Sequence, residues 1–323
     1  MALVLAFGGA RPALAESESA RKEAAKALMA QATDLYAKGA YHGSASWCTP
    51  RPAGVLPEDR AHIVYYEYNN LESLEAALKA NAGDVAAVLA TPFLHEAFRD
   101  QADPNREFAV AVRRLCDEYD ALLIVDEVRA GFRLARDCAW AQYGVRPDLT
   151  AWGKCFANGY PISAVLGSGT ARKGAENIYA TGSFWYGATA MAAAIETLRH
   201  IRESDYLERT VACGQRLRDG LHQLAASHGF TLKQTGPVQM PQIFFEDDSD
   251  FRVGYAWAAE ALKRGVYFHP YHNMFLCGAH TLDDMALVLV RVDDAFAAVK
   301  GRRSDLRPHP ALIQLLGSRQ TKA

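Results

Sequence analysis

Two short apolar stretches end in residues able to do chemistry. Ala121-Leu-Leu-Ile-Val runs directly into Asp126, Glu127 and Val128, and Leu149-Thr-Ala-Trp runs into Gly153 and Lys154. In an open α/β sheet ligands bind beyond the carboxyl ends of the strands, the edge at which Asp126 falls. A lysine beside small residues and the apolar Trp152 and Phe156 is open to partial desolvation, which lowers its pKa and makes it an imine-forming nucleophile. Each residue alone also has an ordinary reading. Acids commonly follow buried strands at a surface, and most lysines are solvated. Taken together they offer an amine for covalent attachment and a carboxylate that calls for a cationic partner.

That pair is what pyridoxal 5′-phosphate requires. The cofactor needs a lysine for its Schiff base and an acid against its pyridine nitrogen, so that the protonated ring serves as an electron sink. Its phosphate dianion is best met by N–H groups and hydroxyls at a turn entering a helix. The stretch Ala180-Thr-Gly182-Ser183-Phe-Trp precedes a helical pattern over 186–202 and offers such a turn.

The surrounding pattern supplies the elements that must hold these groups. Strands are predicted at Ile63–Tyr66, Val85–Ala90, Ala121–Val125, Leu149–Trp152 and Ser163–Leu166, alternating with helices at Leu71–Ala80, Glu107–Tyr119 and 186–202. This alternation is the signature of a mainly parallel sheet covered by helices. The unbroken apolar run before Asp126 marks a strand buried on both faces, mid-sheet. The large α/β domain is expected over 39–204. Beyond it, helices at Tyr206–His228, Val253–Arg264 and Asp283–Lys300, with apolar runs at Gln242–Phe245 and Val266–His269, predict a smaller α+β domain over 205–302. Residues 1–38 read as an N-terminal segment holding one amphipathic helix, Glu16–Lys38, and 303–323 as a loosely held tail.

Composition removes several function classes. The chain has 323 residues, half of them hydrophobic, enough for a large core. With 35 basic and 37 acidic residues the net charge is -2, which gives no field for nucleic acid or an anionic membrane surface. The six cysteines are scattered without metal-ligand spacing, which fits a reduced, cytoplasmic setting. His269, His272 and His280 lack an accompanying carboxylate or cysteine set, so no metal is expected. Cys155 reads as inert filler, and Trp47, Trp152 and Trp185 as core or pocket walls. The apolar start, Ala2–Ala10 followed by Ala13-Leu14-Ala15, has no preceding basic residue and soon meets Arg11 and Pro12, which argues against a secretory leader. Neither G-x-G-x-x-G nor G-x-S-x-G is present, which disfavours dinucleotide dehydrogenases and serine hydrolases.

Leu115-Cys-Asp-Glu-Tyr-Asp-Ala-Leu-Leu-Ile-Val-Asp-Glu-Val-Arg-Ala-Gly-Phe-Arg133 and Tyr143-Gly-Val-Arg-Pro-Asp-Leu-Thr-Ala-Trp-Gly-Lys154 resemble the class III pyridoxal-phosphate aminotransferases of fold-type I, nearest the glutamate-1-semialdehyde 2,1-aminomutase branch. The resemblance runs from about Tyr41 to Val299, and the spacing from Asp126 to Lys154 fits without insertion. It implies that Lys154 forms the Schiff base, Asp126 pairs with the pyridinium and Val128 packs on one ring face. Tyr41 and His42 match the element that covers the other face. Ser183, after Gly182, takes the place of a threonine that reaches the phosphate of the neighbouring subunit's cofactor, so a homodimer with shared active sites is implied. The family's N-terminal Gly-Thr phosphate turn has no counterpart, and residues 1–40 are too short to contain that region, so the chain reads as truncated or replaced at its start. Pro270–Phe275 stands where the aminomutases carry a glutamate, and Thr91-Pro92-Phe93 where the family commonly has Glu-Pro. The expected activity is amino-group transfer on a small amino acid or amino aldehyde. The alternative is a catalytically degenerate paralogue that keeps the fold with a binding role or none.

Overall fold

In the computed structural model the described residues are 2–6, 62–95, 97–178, 182, 187–310 and 313. They fall into two compact units, one from the described residues up to Leu94 and Pro104–Arg202, the other from His95–Asp103 and the described residues from Glu203 onward. The predicted helix Glu16–Lys38 lies outside the described residues, as does the 7–61 stretch as a whole.

The first unit is built on a six-stranded sheet. Its elements in chain order are β1 (Ala2–Ala6), β2 (Ile63–Tyr66), α1 (Leu71–Ala80), β3 (Val85–Ala90), α2 (Arg106–Glu118), β4 (Leu122–Asp126), β5 (Leu149–Trp152), β6 (Ala164–Gly167), the short α3 (Arg172–Glu176) and α4 (Ala188–Glu203). The order across the sheet is β2-β1-β3-β4-β5-β6. β3, β4 and β5 are mutually parallel, and β1 runs antiparallel to both β2 and β3, so β2 shares the direction of the parallel trio. The α/β class and mainly parallel sheet thus hold. Two features depart from the sequence reading. The apolar start, Ala2–Ala6, is a strand inserted between β2 and β3, and β6 is antiparallel to β5. β6 is also mostly exposed, with Val165 and Leu166 open to solvent, as an edge strand with one neighbour allows.

Local chemistry explains the helices. Asn70 caps α1 by accepting the N–H of Ser73 at 3.0 Å, and Leu74, Ala77 and Leu78 form its buried stripe. Asn105 caps α2 through the N–H of Phe108, and Phe108, Val112 and Leu115 lie at the 4- and 3-residue steps of one helix face. These residues pack with Val88, Leu123, Val125 and Trp140 into the first core. β4 therefore lies mid-sheet, its Leu123 and Val125 fully buried.

The second unit holds α5 (Tyr206–Ser227), a hairpin of β7 (Leu232–Thr235) and β8 (Gln242–Phe245), α6 (Arg252–Lys263) and α7 (Leu282–Lys300). Leu217, Leu221, Phe245, Trp257 and Phe296 anchor its core. The segment His95–Asp103 joins this unit through Gln101, whose Nε2 donates to the carbonyls of Thr235 and Met240 at 2.9 and 3.0 Å. Phe98 stacks on Tyr271 with centroids 4.1 Å apart. The apolar run Val266–His269 is extended but joins no ladder among the described residues. Its alternation buries Val266 and Phe268 and exposes Tyr267, and the Val266 N–H donates to the Ala261 carbonyl at 3.0 Å. His269 and His280 each accept loop N–H groups at Nδ1, from His272 and Cys277 respectively, which accounts for both as loop braces. No described helix is long and apolar enough to cross a membrane.

Gly214 on α5 lies so close to the Val238 carbonyl that an added Cβ would stand 2.4 Å from its oxygen. Because the obstacle is backbone, Gly214→Ala is expected to destabilise the fold by roughly 1–3 kcal/mol, as overpacking typically does. Denaturant unfolding should show a lowered midpoint; an unchanged midpoint would contradict this packing.

Candidate active site

The site-bearing strand ends are held in place by parallel pairing. β4 and β5 are in register with Asp126 opposite Ala151, so Lys154, three residues further on, follows directly beyond the end of the neighbouring strand. At the other end of the pair Asp148 ties the strands together. Its Oδ2 accepts the N–H of Leu123 at 2.8 Å and the guanidinium of Arg113 at 2.6 Å, while its own N–H donates to the Leu123 carbonyl at 2.9 Å.

Asp126 closes β4, and its Oδ1 accepts the N–H of Val128 at 2.9 Å. Burial pushes its carboxyl above the usual aspartate range, opposed by the Val128 N–H and by the positive charges of Lys154 and Arg129. Val128 is buried beside it. Lys154 opens a short 3-10 turn, Lys154–Ala157, with a left-handed φ of 47°. For a non-glycine residue that conformation is strained and persists only where the surroundings enforce it, a pattern that clusters at functional sites. The residue is exposed, yet partial burial of its amine lowers the pKa, and Arg129 and Arg133 lower it further while Asp126 acts in the opposite direction.

The turn after Asp126 folds back over β5. The N–H of Gly131 donates to the Glu127 carbonyl at 2.6 Å. A Cβ on Gly131 would stand 2.7 Å from the Trp152 ring, so only glycine permits this approach. Phe132, at φ 61°, stacks on Trp152 with centroids 4.6 Å apart and on Phe156 at 6.3 Å. The Arg133 guanidinium donates to the Arg129 carbonyl at 2.6 Å. Arg129 is part of the electrostatic surroundings of both Asp126 and Lys154.

Of the residues singled out from sequence, Asp126, Val128 and Lys154 therefore gather at two adjacent strand ends. Gly182 is described and exposed. Tyr41, His42 and Ser183 lie outside the described residues. Sequence reasoning passed over Glu127, Arg129, Arg133 and the Phe132–Trp152 stack. A signal for the arginines stood in the motif itself, at the third and seventh positions after Asp126, but only the fold-back brings them to Lys154.

The profile of the family Aminotransferase class-III matches residues 28–283. The chain belongs to that family. It is 60% identical over 294 residues to an aminopentol aminotransferase of Sphingopyxis macrogoltabida, covering 91% of this chain and 70% of that protein. It is 30% identical over 275 residues to a glutamate-1-semialdehyde 2,1-aminomutase of Caldivirga maquilingensis, covering 80% of this chain and 63% of the relative. Among solved structures, the FumI protein of Sphingopyxis sp. MTA144 in its PLP internal aldimine form superposes with a TM-score of 0.80 at 61% identity, over 82% of this chain and 64% of that one. The chain thus spans about two thirds of the length of the proteins it matches.

An amine is labelled by electrophiles in proportion to the free base present. Lys154 is therefore expected to be labelled by trinitrobenzenesulfonate at lower pH than the bulk of the lysines. Arg129→Gln should move its profile to higher pH, because a positive neighbour that disfavours the ammonium has been removed. Peptide mass spectrometry across a pH series reads both, and an unmoved profile in the variant would remove Arg129 from the site.

Proposed function

We propose that this class III aminotransferase binds pyridoxal 5′-phosphate at the ends of β4 and β5 and transfers an amino group to or from a small amino acid or amino aldehyde. The observation that carries the reading is the placement of a partly desolvated Lys154 amine and the desolvated Asp126 carboxyl on adjacent, parallel strand ends, each within the other's electrostatic influence. The donor set fits the cofactor, with one amine for covalent attachment, one acid for the ring nitrogen and the apolar Val128 for a ring face. Lys154, Asp126, Val128 and Gly182 would hold it, and by resemblance Tyr41, His42 and Ser183 as well.

When bound, the cofactor supplies an electron sink for the pair left behind as a substrate C–H bond breaks. The remaining work falls to the chain's own groups. Lys154 would hold the cofactor through Nζ, and the same Nζ, as a free amine, would take a proton from the substrate carbon and return it elsewhere, general base and then general acid. A lowered pKa suits it to the basic role near neutral pH. Asp126 would be the negative partner for the ring nitrogen and would favour a proton there. The aminopentol aminotransferase relative supports an amine carrying hydroxyl groups as substrate, with the amino group passed to a separate acceptor. The aminomutase relatives offer the variant in which donor and acceptor share one skeleton.

A homodimer is part of this proposal. Met191, Ile195 and Leu198 form an exposed apolar stripe along α4, with Ile195 69% accessible, an unusual sight on a helix that is not covered. A second copy is the occupant that the family resemblance implies for it. A reducing, cytoplasmic setting is proposed from the scattered cysteines alone.

Purified full-length chain reconstituted with pyridoxal phosphate should absorb in the visible, and borohydride should fix the cofactor to the Lys154 peptide. Lys154→Ala should abolish the fixation and lower turnover by about 10²–10⁴-fold, the range for a lost proton-transfer group. A colourless protein that cannot be reconstituted would sink the enzyme reading in favour of a fold-retaining paralogue. Turnover that needs no keto acid would select the mutase variant. Ile195→Asp is expected to turn a dimer into a monomer in sedimentation velocity; a wild-type monomer would refute the dimer.

A further inference from the structure

Two residues on different turns beside the site take up left-handed backbone, and one aromatic ring joins those turns. Lys154 has φ 47° and Phe132 φ 61°. An L side chain in that region crowds its own main chain, so neither residue would rest there in a free chain. Each needs surroundings that enforce it. Phe132 is held by its own turn, where the N–H of Gly131 donates to the Glu127 carbonyl at 2.6 Å and that of Arg133 to the Ala130 carbonyl at 2.9 Å. Lys154 has less. The main-chain bond across it runs from the N–H of Phe156 to the Gly153 carbonyl at 3.1 Å, and such a bond closes equally well over a turn of ordinary handedness.

Side chains supply the difference. Trp152, two residues before Lys154, is a fixed point: it is 4% exposed, stands in register with Ala164 of β6 and donates its indole N–H to Thr150 Oγ1 at 2.8 Å. Phe156, two residues after Lys154, is half-buried. Phe132 stacks on both, its centroid 4.6 Å from that of Trp152 and 6.3 Å from that of Phe156, with interplanar angles of 29° and 12°. The link Gly153–Cys155 therefore has both its ends pinned against a single ring from the turn after β4. Gly153 is fully extended at φ -171°, so the reversal of direction falls on Lys154 and Cys155.

We propose that Phe132 is a positioning residue for Lys154, its ring holding the lysine's turn in the left-handed form by stacking on Trp152 and Phe156. The inference rests on the role given to Lys154 above. The lysine's main chain is then set before any ligand arrives, and its amine is aimed from a fixed Cα without a search among backbone conformers. Relaxed to a right-handed turn, the same side chain would leave the backbone along a different line. Its amine would move out of the partly desolvated corner and away from Arg129 and Arg133, the influences that lower its pKa.

Trinitrobenzenesulfonate labelling and amide hydrogen exchange, both on the cofactor-free full chain, test this. In Phe132→Leu, which keeps an apolar group but no ring, the pH midpoint of Lys154 labelling should rise by about half a unit, a roughly threefold loss of free amine below the midpoint. The bulk of the lysines should keep theirs. The Phe156 amide, bonded to the Gly153 carbonyl, should exchange roughly tenfold faster. Phe156→Leu is the sharper variant. It leaves Gly131, Phe132 and both arginines on an intact turn, so a shift reports the lysine's own turn and not displaced charge. It should raise the midpoint as Phe132→Leu does, and Phe156→Tyr, which keeps a ring at this half-buried position, should restore the wild-type value. A Lys154 midpoint unmoved in folded Phe132→Leu and Phe156→Leu overturns the proposal. So does a shift in Phe156→Tyr as large as that in Phe156→Leu. If Phe132→Leu does not fold, the Phe156 pair decides. Failure of the wild-type chain to take up pyridoxal phosphate would instead strike the functional reading, and leaves these cofactor-free results to decide this one.

Discussion

The site depends on one constraint, the parallel register that sets Asp126 of β4 opposite Ala151 of β5. Parallel neighbours deliver their carboxyl ends to the same edge of a sheet, so two residues distant in sequence meet there without either strand bending. Asp148 guards that register from the opposite end. Its carboxylate joins the Leu123 N–H to the Arg113 guanidinium, both partly buried. A slip of one residue would turn every side chain of the strand to the other face, carrying Asp126 away from the site and Leu123 and Val125 out of the core. Core packing and site geometry are thus enforced by the same contacts.

Around this edge the charges form a balanced set. Asp126 is a half-buried and Glu127 a buried acid, consecutive in sequence, Lys154 is an amine with a lowered pKa, and Arg129 and Arg133 arrive on the turn that the Gly131–Trp152 approach holds down. The consecutive acids belong to different settings. Asp126 is met by cations and a main-chain N–H, whereas Glu127 is met by an N–H, a thiol and further acids. Adjacent residues at a strand end point to opposite faces, so one sequence step separates a carboxyl facing the chemistry from one facing the core.

Much of this was legible in the sequence, for physical reasons. Unbroken apolar runs made β3 and β4 readable as strands, although β4 is fully buried on one face only, through Leu123 and Val125, with Leu122 and Ile124 half-buried on the other; the helices were readable from capping asparagines and apolar stripes. Ala2–Ala6 escaped because five apolar residues at a chain start carry no turn signal and no periodicity to distinguish a strand from a leader. The direction of β6 escaped because pairing sense leaves no mark on four residues. Val266–His269 has the alternation of a strand yet finds no ladder partner among the described residues, since alternation reports only which side is buried. Spacing picked out Asp126 and Lys154, but the part played by Glu127, Arg129 and Phe132 follows from a turn that doubles back, and no local pattern encodes that.

The attachment of His95–Asp103 to the second unit has a consequence for dissecting the molecule. Gln101 supplies donors to the carbonyls of Thr235 and Met240, and Phe98 covers Tyr271. The second unit is therefore discontinuous along the gene. A fragment begun at Glu203 would leave two acceptors and an aromatic face bare, so a viable excised piece must carry the nine-residue loop grafted back by a linker or by circular permutation. Any ancestral exchange of that unit between relatives had to transfer two separate coding stretches at once.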